Sequence, residues 1–217
     1  MSMLPKLEEL DIDGAIQEAA SKVDGATRAV FLKKAGLGAG AVVAGGAFAG
    51  AIPAIASAGV AASDVAILNF ALTLEYLEAA FYAGAVGAKF SGKTGTFASI
   101  VAKHEAAHVA FLKSALGSAA VKSPKFDFKD SNTDMAKFMA TAQVLEDTGV
   151  AAYLGQAGNI KSKKILGAAG SILAVEARHA GWVRDLNNVP GAPASFQGAK
   201  TKAQILAAVK GTGFIVG

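Results

Sequence analysis

Residues 172–183 read Ile-Leu-Ala-Val-Glu-Ala-Arg-His-Ala-Gly-Trp-Val, an apolar run of helical character into which Glu176 and His179 are set three positions apart. On a helix that spacing places both side chains on one face, one turn apart. The same pattern occurs at Glu105-Ala106-Ala107-His108, again within an Ala-rich segment. After Ser57 there are five glutamates in all, Glu75, Glu78, Glu105, Glu146 and Glu176, and each lies in a stretch rich in Ala, Leu and Val. A solvated bundle carries Glu on its outer face; here aspartate supplies most of the turn and surface acids.

The positions repeat. Glu75 to Glu146, Tyr82 to Tyr153, Glu105 to Glu176 and His108 to His179 each span 71 residues. Helical periodicity and turn signals divide the region into four helices: one from Ser63 or Asp64, which can cap it, to a turn SGKTG that contains Gly92; one from about Thr96 to Leu116; one from near Thr133 to near Gly158; and one from Ser162 to Asn187. Short turns pair the first two and the last two as antiparallel hairpins. The roughly 17 residues GSAAVKSPKFDFKDSNT between them reach about 55 Å when extended, enough to cross a helix of about 36 Å. The expected fold is therefore all-α, a four-helix bundle with a long crossover between helices two and three.

Within each hairpin the lone Glu and the Glu-x-x-His lie 30 residues apart with the turn midway, so folding brings them to one height. Four carboxylates gathered in an apolar core repel one another and lose hydration worth several kcal/mol per ion unless protonated or neutralised. Two divalent cations balance four carboxylates, and one imidazole for each completes an oxygen-rich set suited to iron or manganese, with zinc as competitor. The spacing thus points to Glu75, Glu105, His108, Glu146, Glu176 and His179 as metal ligands, the arrangement of dimetal carboxylate bundles. Glu78 has no counterpart, because position 149 is Gly; it is a further ligand, a hydrogen-bonding group behind a ligand, or a residue at the bundle edge. Tyr82 and Tyr153 either hydrogen-bond the ligand carboxylates or fill the core. His104, about 100° round the helix from Glu105, is expected at the surface, as is Arg178, with Trp182 in the core.

The motifs LEYLEAAFY, KHEAAHVAFL, LEDTGVAAY and VEARHAGWV make residues 64–187 resemble the exported bacterial ferritin-like domain family, related to desiccation-associated proteins. That resemblance implies a ferritin-like bundle with a diiron, dimanganese or mixed centre, bridged by Glu105 together with Glu146 or Glu176. It also implies chemistry with small oxidants, dioxygen or peroxide, or with ferrous ion. A non-catalytic metal-binding, structural or stress-related role is the alternative.

The N-terminal part differs in kind. Residues 28–34 (RAVFLKK) lead into a run with no charged residue between Lys34 and Asp64 and with small residues at Ala56-Ser57-Ala58. That is the layout of an export signal. It resembles a twin-arginine signal through Thr27, Arg28, Phe31, Leu32 and Lys33, with Ala29 where the second arginine would stand. A run of about 20 apolar residues is also long enough to stay in a bilayer as an anchor. The expected organisation is a short amphipathic segment at 1–27, a signal or membrane anchor at 28–58, the bundle at 59–188, and a tail at 189–217 with a short helix near 201–210. The expected location is the periplasm or cell envelope, with membrane contact only if the signal is retained.

The remaining composition narrows the functions. Zero Cys excludes disulfides, thiolate metal sites and a cysteine nucleophile. The net charge of +4 is spread along the chain, without the basic stripe interleaved with aromatics that a nucleic-acid surface needs. Homo-oligomer formation is compatible with the sequence, but no motif in it specifies a symmetry contact.

Overall fold

The computed structural model describes residues 60–216. The expected segments 1–27 and 28–58 lie outside the described residues. Among the described residues there are five α-helices, α1 (Ala62–Gly87), α2 (Gly92–Leu116), α3 (Met135–Ala157), α4 (Lys163–Leu186) and α5 (Lys202–Thr212), with one 3-10 turn at Gly117–Ala119. The described residues form no strand, only an isolated antiparallel bridge between Phe126 and Ile215. Helices α1 and α2 pair as one hairpin and α3 and α4 as the other.

Helix α1 is the most apolar element. It is long and apolar enough to cross a bilayer, yet it buries twelve residues against the bundle, Glu75 and Glu78 among them. A helix apolar on every face belongs in the centre of a core. Two layers of side chains flank the glutamates. Towards one end, Phe81, Tyr82, Phe97 and Phe138 form the aromatic part of the larger cluster, with Phe81 stacked on Phe138 at 5.4 Å. Towards the other, Leu68, Leu72, Leu112, Leu116, Ile160, Ile165 and Ile172 close the bundle. Each such aliphatic side chain contributes about 1.5–3 kcal/mol on burial.

Two helix starts differ from the sequence reading. Helix α2 begins at Gly92, inside SGKTG, so that segment forms the first turn of the helix rather than a loop before it. Helix α1 has Ala61 at its N-cap and no side-chain cap. Asp64 is instead fully buried and accepts the backbone N–H groups of Lys161 and Ser162, both at 2.9 Å. It thus ties the start of one hairpin to the turn of the other. Helices α3 and α4 do have side-chain caps: Asp134 accepts from Lys137 N and Ser162 from Ile165 N.

The crossover is held at both ends by amide side chains of a kind that can donate and accept together. Asn69 donates to Ala119 O and accepts from Val121 N, while the buried Asn132 donates to Phe81 O. The tail packs as well. Lys200 N donates to Ala151 O, an approach so close that a Cβ on Gly155 would lie 1.9 Å from Lys200 O. A Thr201–Gln204 capping box starts α5, which buries Ile205 and Val209, and Phe214 then meets Phe128 edge-on at 5.2 Å. Backbone bonds from Asp127 N to Phe214 O and from Val216 N to Lys125 O fasten the tail to the crossover.

Asp64→Ala leaves two backbone donors without their charged acceptor and is expected to lower stability by about 1.5–3 kcal/mol. Urea denaturation compared with wild type measures this. A loss below about 0.5 kcal/mol would show that the tie is solvated and dispensable.

Candidate metal centre

The 71-residue repeat becomes an approximate two-fold arrangement in space. Glu75 from α1, Glu105 and His108 from α2, Glu146 from α3, and Glu176 and His179 from α4 meet in the core, none more than 8% exposed. His108 Nδ1 lies 3.2 Å from Glu75 Oε2, 3.2 Å from Glu105 Oε2 and 3.1 Å from Glu176 Oε1. His179 Nδ1 lies 3.3 Å from both Glu105 Oε1 and Glu146 Oε2. All six residues expected from the sequence are therefore brought together.

They form two overlapping groups. Glu75, Glu105, His108 and Glu176 each offer one atom within 4.8 Å of the others, and so do Glu105, Glu146, Glu176 and His179. Glu105 and Glu176 are common to both groups, whereas Glu75 and Glu146 belong to one each. Of the two partners for Glu105 that the resemblance implied, the geometry favours Glu176 over Glu146 as the shared carboxylate.

The tyrosines act crosswise. Tyr82 on α1 donates to Glu146 Oε1 on α3, and Tyr153 on α3 donates to Glu75 Oε1 on α1. Each outer glutamate thus has one oxygen fixed by a phenol of the opposite hairpin and the other directed at a histidine. Glu78 is 3% exposed and so lies in the core rather than at the bundle edge. Gly149 makes the room for it: a Cβ there would stand 3.0 Å from Glu176 Oε2 and 3.4 Å from Glu78 Oε1. Glycine at 149 and glutamate at 78 are the two halves of one exception to the repeat.

Trp182 is half-buried and packs edge-on against Phe97 at 5.2 Å, and Arg178 is exposed. His104 is exposed in area, as expected, but it is engaged. Its Nδ1 lies 2.8 Å from His179 Nε2, and the two rings stack with centroids 5.1 Å apart. Sequence reasoning missed that contact because it measured His104 against Glu105. Measured against His108, four residues on, it is only about 40° round the helix.

Five carboxylates share this dry volume, and their acidities show the strain. Burial, then the charges of Glu176 and Glu146, pushes Glu78 well above the ordinary range. Burial with Glu75 does the same to Glu105, and burial with Glu105 to Glu176. Burial also opposes ionisation of Glu75, but the hydrogen bond and charge of His108 outweigh it and hold Glu75 low. Burial would lower His108, but the carboxylates of Glu105, Glu176 and Glu75 around its Nδ1 outweigh it and hold His108 raised. Tyr82 and Tyr153 are raised by burial and by the anions they face, and so stay protonated as donors.

Protons and one imidazolium do not satisfy the cluster. Glu105 Oε1, Glu146 Oε2, both oxygens of Glu176 and His179 Nδ1 are buried without a hydrogen-bond partner. A single N–H on His108 faces three carboxylate oxygens and can serve only one of them well. Orphaned carboxylate oxygens and an imidazole nitrogen converging on two shared groups fit divalent cations.

A bundle that turns carboxylates and imidazoles from all four helices into its own core defines a class of helical proteins built around an internal acid–histidine cluster. Residues 63–189 match the ferritin-like domain family, and with more than half of its length so matched the chain belongs to that family. No curated protein matches the sequence.

The raised groups Glu78, Glu105, Glu176 and His108 bind protons more tightly folded than unfolded, so the stability they confer is present at low pH and lost as pH rises; Glu75, held low, acts in the opposite sense. Its contribution changes only below the ordinary glutamate value of 4.5, so between about pH 5 and about pH 8 the raised groups set the slope. Metal-stripped protein is expected to melt at falling temperature from about pH 5 to about pH 8, and added divalent metal should flatten that slope. A metal-free melting temperature that climbs across this window would contradict the assignment.

Proposed function

We propose that this chain holds two divalent metal ions, iron or manganese with zinc as competitor, and uses them for redox chemistry with dioxygen, peroxide or ferrous ion. The observation that carries this reading is the pair of four-residue groups that share Glu105 and Glu176 and leave their inward atoms without hydrogen-bond partners. One ion would be held by Glu75, Glu105, His108 and Glu176 and the other by Glu105, Glu146, Glu176 and His179. When bound, such a pair supplies reducible centres with mixed oxygen and nitrogen ligation.

The chain's own contribution is to orient and to exclude water. Tyr82 and Tyr153 hold the outer oxygens of Glu146 and Glu75, which leaves the inner oxygens to the ions. Glu78 faces the charges of Glu176 and Glu146 from within the core, where burial favours its protonated form, so it can hold a proton next to the site. The layers around Phe81 and Leu72 keep bulk water from the carboxylates, which strengthens every electrostatic contact among them.

Export to the periplasm or cell envelope is part of the proposal. Its support is the basic segment 28–34 followed by the uncharged run to Asp64, acting as a cleaved signal or as an anchor. Residues 59–188 then constitute the bundle unit and 189–217 the tail packed on it.

Elemental analysis of protein purified from metal-replete medium is expected to find about two iron or manganese per chain. Glu176→Gln, which alters a shared ligand, should reduce both occupancies, and Glu146→Gln should leave about one. Ferrous ion or peroxide should then be consumed faster than in buffer. Metal without turnover would make the protein a binding or structural one; no metal in a folded, helical wild-type chain would overturn the proposal.

A further inference from the structure

The two metal positions are not equivalent, and the difference lies outside the six ligands. His179 turns Nδ1 towards Glu105 and Glu146, and its other nitrogen, Nε2, faces His104 Nδ1 at 2.8 Å; with Nδ1 given to a metal, the ring proton would sit on Nε2 and point at His104. A ligating imidazole whose other N–H is held by an acceptor is fixed in tautomer and rotation and is a better donor to its metal. The rings of His104 and His179 are also nearly parallel, inclined at 14°. This packing limits rotation of His179 further.

The repeat supplies the contrast. The residue 71 positions beyond His104 is Val175, half-buried on α4 and without a hydrogen-bonding side chain. From that place the second hairpin offers His108 nothing equivalent. Glu78, which also lacks a counterpart, lies with Glu176 around the gap left by Gly149 on α3.

We propose that His104 is a positioning residue that orients His179 and makes the Glu105–Glu146–Glu176–His179 position the tighter of the two, filled first and emptied last. This rests on the dimetal reading above. His104 need not touch the ion: its part is to accept the Nε2–H of a metal-bound His179.

The test is calorimetric titration of metal-stripped full-length protein with cobaltous ion. Wild type should show two events of different affinity. His104→Ala should weaken the tighter event about 10–100-fold and leave the other unchanged. His104→Phe retains a stacking ring but cannot accept a hydrogen bond, and should behave like His104→Ala; His104→Gln, whose carbonyl can accept, should restore most of the affinity. Two backgrounds assign the events. With Glu75→Gln only the His179 position is left intact, and adding His104→Ala should weaken it. With Glu146→Gln only the His108 position is left intact, and adding His104→Ala should change nothing. Two events in wild type that His104→Ala leaves unchanged, or weakens equally, would overturn this inference while the dimetal reading stands. A helical wild-type chain that takes up no cobalt would overturn both.

Discussion

The constraint on which the rest of this structure depends is that four helices each bury acid where they meet. Glu75, Glu105, Glu146 and Glu176 are all inaccessible to solvent, and in a low-dielectric interior such a set is unfavourable by several kcal/mol per ion unless it is compensated. Within the chain the compensation is partial. His108 is raised and pairs with Glu75, while Glu105 and Glu176 are pushed towards the protonated form. The unpartnered oxygens that remain are compatible with a bound cation. Aromatic and aliphatic layers on either side keep the cluster dry and hold the helices at fixed spacing, so that its geometry is set by the packing of the bundle.

Two hairpins with one register meet that constraint economically. The crosswise bonds from Tyr82 to Glu146 and from Tyr153 to Glu75 make each hairpin complete the site of the other. Neither hairpin holds a complete site alone. Asp64 adds a covering tie at the far end, from the start of α1 to the turn between α3 and α4. Symmetry is then broken at two places, Glu78 against Gly149 and His104 against Val175, and both breaks fall nearer the same pair of ligands, Glu176 and His179. A repeat gives two similar positions; its exceptions are what allow them to differ.

Much of this was legible in the sequence, for a physical reason: a helix face is fixed by residue spacing. The Glu-x-x-His pairs, the 71-residue offset and the short turns place the six acid and imidazole side chains at one height, and the expected starts of the last two bundle helices, near Thr133 and about Ser162, lie within two residues of the observed ones. The parts that were not legible depend on partners without sequence identity. Asp64 bonds backbone amides 97 and 98 residues away, and any residue type offers those donors. His104 was judged by its angle on its own helix, whereas its contact comes from α4. The tail's helix could be expected near residue 201, but its bridge to the crossover through Phe214 and Lys125 is again backbone pairing between distant segments.

The placement of the glutamates also accounts for the character of the outside. Residues 60–216 contain sixteen Lys and Arg and six Asp, and all five Glu of this region are in the core. One of the six Asp, Asp64, is buried as well. The solvent-facing acids are therefore five aspartates, two of which are already paired, Asp130 with Lys137 and Asp147 with Arg184. A modest formal charge of +4 for the whole chain thus conceals a separation, with glutamates gathered in the core and positive charge dispersed over the surface. The formal count treats every glutamate as ionised, but burial pushes Glu78, Glu105 and Glu176 towards the protonated form, so the surface excess of Lys and Arg governs the long-range potential around the bundle. At the edge of the buried cluster, His104 is the exposed imidazole in contact with the buried His179.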